Sequence, residues 1–223
     1  MKVILLPGLD GTGLLFKPLL EQTPSSDRFS IFSLIQEPIG YQPQIELLEK
    51  EIGDAEVILV AESYSGYIAY ELACQGNIGI KHIVFVASFL VPPSFLMKFL
   101  GNIPLGLIKS QLLPYGILNY FLFGNKGNRE LEKSFYTSIN SVSNRVLIRR
   151  LKNISELKLP TKTLKIPCTY IKAKSDRLVN ANSVKMFEKV CTNLTIKLVD
   201  GGHFVLQSNP KTCLGIINRA IAL

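Results

Sequence analysis

The chain carries a serine, a histidine and an aspartate placed as nucleophilic acyl transfer would require. The serine is Ser63, in Val60-Ala61-Glu62-Ser63-Tyr64-Ser65-Gly66, between an apolar strand-like run and a helical pattern. A serine raised on a sharp strand-to-helix turn has strained backbone angles, so the residues two positions to either side must be small. Ala61 and Ser65 meet that condition for Ser63, whereas Ser65 fails it because its own neighbour at that distance is Tyr67. The turn also places the serine at a helix N-terminus, where backbone N–H groups face developing negative charge. The bland alternative is a polar turn in which Ser63 merely caps the helix.

A serine hydroxyl needs a base, and the chain has two histidines. His82 falls at the start of a strand pattern, on the edge away from the carboxyl ends where ligands bind in such sheets. His203 falls in Asp200-Gly201-Gly202-His203-Phe204, after the last strand pattern and before the last helix. Elimination favours His203. The carboxylate that would orient it is expected at the end of another strand, and Asp176, in Ala173-Lys174-Ser175-Asp176-Arg177, follows one. Asp200 is too near His203 in sequence to be preferred. The glycine-rich turn Leu6-Pro7-Gly8-Leu9-Asp10-Gly11-Thr12-Gly13 reads as an oxyanion loop, with the backbone N–H groups of Leu9 and Tyr64 as the two donors. A phosphate-cradling loop of a dinucleotide site is the weaker reading, because the spacing is GxxGxG rather than GxGxxG.

Six apolar runs must carry these residues: Lys2–Leu6, Phe29–Leu34, Val57–Glu62, His82–Ser88, Cys168–Ala173 and Leu194–Val199. They are rich in Val and Ile, and most are apolar on both faces, as strands of a covered parallel sheet are. Helical patterns at Gln44–Ile52, Gly66–Cys74, Asn180–Val190 and Pro210–Ala220 alternate with them, which predicts a doubly wound α/β sheet. Pro210 suits a first helical position, with Asn209 as its cap. Between Ser88 and Cys168 no strand pattern occurs. A structureless connection of that length is improbable, so the segment is expected to be a helical cap: Ser94–Gly101, Leu105–Phe123, Arg129–Ser138 and Ser143–Leu157. This gives a core of residues 1–91 and 166–223 with a cap inserted at 92–165.

The chain resembles the α/β-hydrolase superfamily from first strand to last helix. It is most similar to short members with an LPGLDGTG loop (here Leu6–Gly13), an ESxSG elbow (Glu62–Gly66) and a closing Gly202-His203-Phe204. The order Ser63, Asp176, His203 is that family's order. Two departures are Pro7-Gly8 where the family has His-Gly, and the absence of the two antiparallel strands that usually open the sheet. The resemblance implies a mostly parallel six-stranded core and hydrolysis of an acyl ester through an acyl-enzyme, without cofactor or metal. It also implies, more narrowly, similarity to the esterases that release pimeloyl-acyl carrier protein from its methyl ester in biotin synthesis. An acyltransferase, a thioesterase or a peripheral lipase would use the same three residues.

Charge bears on the partner. The chain carries +8 overall. Residues 92–165 hold 12 Lys and Arg against Glu130, Glu132 and Glu156, so that segment carries +9 and the remainder −1. Arg145, Arg149 and Arg150 share a presumed helix at i, i+4 and i+5 spacing. They are the expected docking residues for an acidic acyl carrier protein or an anionic membrane surface. Phe95, Leu96, Phe99, Leu112, Leu113, Phe121 and Leu122 are the expected apolar lining. No nucleic-acid-binding module accompanies the basic segment. The four cysteines, Cys74, Cys168, Cys191 and Cys213, are widely spaced with no CxxC. Free thiols, the short apolar start at Met1–Leu6 and the absence of an unbroken 20-residue apolar run favour a cytoplasmic protein.

Overall fold

The computed structural model describes residues 1–23, 26–76, 78–93 and 105–222. Six strands form one sheet: β1 (Lys2–Leu6), β2 (Phe29–Ile31), β3 (Val57–Glu62), β4 (Ile80–Val86), β5 (Cys168–Ala173) and β6 (Leu194–Val199). Their order across the sheet is β2-β1-β3-β4-β5-β6, and every neighbouring pair is parallel. The central strands are buried on both faces, β3 without exception. That is why they read as continuous apolar runs rather than alternating ones. The edge strand β6 alternates over Leu194–Lys197, then exposes Leu198 and buries Val199. The strand expected over Phe29–Leu34 pairs with β1 only as far as Ile31, and its last residues turn away as a loop.

Helices cover both faces. On one lie α1 (Tyr41–Ile52), α2 (Ser65–Ala73) and α5 (Ala181–Val190), the last with Phe187 wedged against Phe85 and Tyr170 at ring distances of 4.5 and 5.0 Å. On the other lies α6 (Pro210–Ile221), whose Cys213, Leu214, Ile216 and Ile217 meet Val3, Leu5, Val60 and Val84. Pro210 opens α6 as expected. Asn209, however, turns its side chain away and donates to the Asp200 carbonyl instead of capping the helix.

Among the described residues no strand interrupts the stretch between β4 and β5. It holds short helical turns at Leu105–Lys109 and Tyr115–Leu118, a π-helical turn at Asn119–Phe123, then α3 (Arg129–Asn140) and α4 (Asn144–Ser155). Asn128 and Ser143 cap α3 and α4 by accepting from the N–H groups of Leu131 and Val146. The helix expected at Ser94–Gly101 lies outside the described residues, as do Phe95, Leu96 and Phe99. A third cluster of Leu118, Phe123, Leu131, Phe135, Ile139, Val142, Val146 and Leu147 packs these helices onto Leu15. Among the described residues, no helix is long and apolar enough to cross a membrane.

Strand order reverses at β1, because the chain passes outward from it to β2 and then returns to β3 on its other side. Loops leaving the carboxyl ends of β1 and β3 therefore diverge to opposite faces, the place where doubly wound sheets bind ligands. The glycine-rich turn follows β1, Ser63 follows β3, Asp176 follows β5 and His203 follows β6. All four segments emerge at the same edge of the sheet.

Candidate active site

Ser63 is held in the left-handed region, at φ 50°, a conformation uncommon for a residue with a side chain. Its N–H stays in the sheet ladder, donating to the Val86 carbonyl at 2.9 Å. The chain then turns at once into α2. Small neighbours make this possible: a Cβ on Gly66 would stand 2.5 Å from the Ser88 Cβ. Ser65 is fully buried and donates to the Pro7 carbonyl, so its hydroxyl ties the turn to the glycine-rich loop.

His203 lies between the other two residues. Its Nδ1 is 3.0 Å from Asp176 Oδ2 and its Nε2 is 2.9 Å from Ser63 Oγ. A carboxylate only accepts, so the proton of neutral His203 sits on Nδ1 and Nε2 accepts from the serine hydroxyl. Asp176 is fixed in turn, its Oδ1 accepting from the N–H groups of Leu178 and Val179, both at 2.9 Å. Burial pulls the His203 pKa down, but the Asp176 charge, the hydrogen bond to it and the Glu62 charge outweigh that, and the net shift is upward. The competing residues are placed elsewhere. His82 is buried with Nε2 2.9 Å from the Thr169 hydroxyl, and Asp200 is exposed and paired with Lys174 at 2.9 Å.

The turn after β1 lies against the serine, with Gly8 so close that a Cβ there would stand 3.6 Å from Ser63 Cβ. The turn is closed by Gly11 N–H donating to the Gly8 carbonyl at 3.1 Å. Among the described residues, the N–H groups of Leu9 and Tyr64 take no acceptor within the protein. The Asp10 carboxylate accepts from the Thr12 N–H, the Thr12 hydroxyl and, at 2.7 Å, the Ser138 hydroxyl of α3.

Of the three arginines expected to dock a partner, Arg145 and Arg149 are exposed, and Arg145 makes a loose 3.6 Å pair with Glu37. Arg150 is not a docking residue. It is 1 % exposed. Its Nη1 donates to the carbonyls of Leu9 and Asp10 at 2.9 and 2.8 Å, and its Nη2 to those of Ile35 at 3.1 Å and Leu34 at 3.4 Å. The physical reason is its place on α4. The buried residues there are Val146, Leu147, Arg150, Asn153 and Ile154, a stripe at helical spacing whose middle position happens to be a cation. Helical periodicity alone turns position 150 inward, whatever its charge.

Glu62 is a second residue that the motif reading left without a role. It is buried beneath the turn, and Gln207 Nε2 reaches both its oxygens at 3.1 and 3.2 Å. Desolvation pushes its carboxyl up to about 7, against the lowering effects of Gln207 and His203. Gln207 Oε1 has no hydrogen-bond partner among the described residues, so a proton on Glu62 would supply a donor that the carboxylate lacks.

The segment between β4 and β5 also contacts the loops that carry Asp176 and His203. Arg177 stacks over the Tyr120 ring at 3.6 Å and donates to its carbonyl, and Phe204 N–H donates to the Leu122 carbonyl at 3.0 Å. Gly124, at φ 60°, and Gly202 meet backbone to backbone, leaving no space for a Cβ on either.

No protein-family model and no curated protein matches the sequence. Solved structures do match. A lipase-esterase related protein from Clostridium acetobutylicum superposes with a TM-score of 0.78 at 18% identity, covering 98% of this chain and 93% of that one. An esterase from Exiguobacterium antarcticum gives a TM-score of 0.80 at 10% identity, covering 100% and 92%. The type II thioesterase BorB of the borrelidin biosynthetic cluster gives 0.72 at 16%, covering 99% and 92%. The comparisons lend no support to the narrower resemblance to pimeloyl-carrier esterases. Six parallel strands in this order, matched along almost the whole chain by such structures, give it the α/β-hydrolase fold.

Proposed function

We propose that this protein is a serine hydrolase that cleaves acyl esters through an acyl-enzyme. The observation that carries the reading is the continuous hydrogen-bonded chain from Ser63 Oγ through His203 to Asp176. In that scheme His203 Nε2 takes the hydroxyl proton as Ser63 Oγ bonds to the carbonyl carbon. The Leu9 and Tyr64 N–H groups receive the charge on the carbonyl oxygen. The imidazolium then returns its proton to the leaving alkoxide as the ester bond breaks. Water repeats the sequence on the acyl-enzyme, and Asp176 steadies the imidazolium throughout without accepting its proton. Similar structures described as esterases and a thioesterase support hydrolysis of an activated acyl group.

The test is hydrolysis of p-nitrophenyl esters of graded length. Ser63→Ala should abolish turnover while preserving the fold by circular dichroism. Asp176→Asn should cost roughly 10⁴-fold in kcat, as loss of the orienting acid does elsewhere, and Asp200→Asn should leave kcat almost unchanged. Equal losses in the two aspartate variants would reject the assignment.

The pH dependence carries a second expectation. Activity rises with pH as His203 loses its proton. Glu62 is one of the charges holding that proton on, so Glu62→Gln should move the low-pH limb to lower pH. The same variant should gain stability. A carboxyl raised from 4.5 to about 7 in the folded state imposes no cost below pH 4.5, an increasing one between those values, and a constant one above. The gain at pH 8 should be roughly 3 kcal/mol by linkage and should fade toward pH 4.5 in urea titrations. An unchanged limb together with a pH-independent stability difference would contradict this role.

We place the docking of an acidic, carrier-bound acyl group on the exposed cations of α4, with Arg145 and Arg149 but not Arg150. Charges of this kind act on encounter and are screened within about 8 Å at physiological salt. The double variant R145E/R149E should raise KM for a carrier-bound ester and spare a small soluble ester. Salt should reproduce the effect in the unaltered protein. Equal losses on both substrates, or no response to salt, would remove the docking role.

A further inference from the structure

We infer that Arg150 is a positioning residue of the oxyanion loop, a role that rests on the serine-hydrolase reading of Ser63. Its guanidinium, carried on α4, binds the loop through backbone carbonyls. Two hydrogen bonds go to the Leu9 and Asp10 carbonyls and two to Leu34 and Ile35 on the neighbouring connection after β2. One planar fork therefore fixes two separate stretches of backbone, a geometry that a point-like ammonium cannot reproduce. The loop is built to receive it. Gly11 stands at φ 71°, and any Cβ there would overlap the guanidinium.

The consequence for Leu9 follows from peptide planarity. The Gly8 carbonyl is held by Gly11 N–H, and in a trans peptide the following N–H points the opposite way. With the next two carbonyls held by Arg150, the Leu9 N–H is fixed in direction, pointing away from Gly11 and free of any backbone acceptor among the described residues. The Asp10 side chain is anchored from α3 through Ser138, so the loop is tied at both its carbonyls and its carboxylate. One turn further along α4, Asn153 Nδ2 donates to the Tyr64 hydroxyl at 3.2 Å. A single helix of the cap segment thus contacts both residues whose N–H groups would hold the oxyanion.

This cation does not pair with a carboxylate through a salt bridge among the described residues. Its partners are carbonyls, which makes its contribution one of backbone geometry. Groups positioned for a transition state are sensitive to displacements of about 1 Å, which can cost roughly 100-fold. Loss of the fork should therefore appear in kcat and in binding of tetrahedral mimics, with substrate affinity spared.

The experiment compares R150K and S138A with the unaltered protein, using p-nitrophenyl ester kinetics normalised by fluorophosphonate titration of active sites. It adds inhibition by an alkyl boronic acid, which forms a tetrahedral adduct on the serine. R150K should lower kcat about 10- to 100-fold, hold KM within about threefold and weaken the boronate by the factor lost from kcat. S138A, which removes the α3 hydroxyl from Asp10 and from the neighbouring Thr12 hydroxyl and leaves the buried cation in place, should act in the same sense by about three- to tenfold. It stands as the test should R150K not fold. An unchanged kcat in S138A, or a loss in R150K that falls on KM or spares the boronate, overturns the inference. An unaltered protein that hydrolyses no ester and takes no fluorophosphonate overturns the serine-hydrolase reading itself, a result distinct from active protein with equally active variants.

Discussion

The site depends on one strained residue. Ser63 leaves β3 at φ 50° while its N–H remains bonded to β4, so the sheet ends and a helix begins within one residue. A conformation of this kind costs about 1–3 kcal/mol and persists only where the surroundings enforce it. Here the surroundings are tight. Gly66 lies against Ser88, Ser88 donates to the Ala61 carbonyl, and Tyr170 donates to the Ser88 carbonyl. The ends of β3, β4 and β5 are thereby locked together around the turn. That lock sets the height of Ser63 above the sheet, and the lengths of β5 and β6 then decide where Asp176 and His203 arrive.

The segment between β4 and β5 is part of the same construction. Arg150 and Ser138 reach the loop after β1, Tyr120 holds Arg177 beside Asp176, and Leu122 and Gly124 press on the turn that carries His203. Each loop that supplies a site residue at the ends of β1, β5 and β6 has at least one contact with this segment. A buried arginine satisfied by carbonyls is costly to disturb, because removing its partners or the cation leaves desolvated polar groups behind.

The legibility of the sequence follows from the same physics. Doubly covered strands declare themselves by apolar runs, and the limits of β1, β3, β5 and β6 are those expected from composition. The strand at Phe29 is shorter than its apolar run because Phe32 and Leu34 are buried as loop residues, where burial no longer implies strand pairing. That Ser63, His203 and Asp176 meet within hydrogen-bond distance is legible from steric rules at the turn, from the scarcity of histidine and from the place of Asp176 after a strand. Arg150 departs from the docking expectation, since the spacing of Val146, Leu147, Asn153 and Ile154 puts position 150 on the inner face whatever its charge. Glu62 could be read only as part of a motif, because its carboxyl is raised by burial, and the partner that burial gives it, Gln207, stands 145 positions away.

Ser63 as the proposed nucleophile and the Leu9 and Tyr64 N–H groups as the proposed oxyanion donors can be seen together in one adduct. A crystal structure after reaction with diethyl p-nitrophenyl phosphate tests both most directly. The expected adduct is a diethylphosphoryl group on Ser63 Oγ, with its phosphoryl oxygen about 2.7–3.1 Å from both the Leu9 and the Tyr64 nitrogens. A phosphoryl group on Ser65 or on another residue, or one on Ser63 whose oxygen points away from both N–H groups, would contradict the proposal.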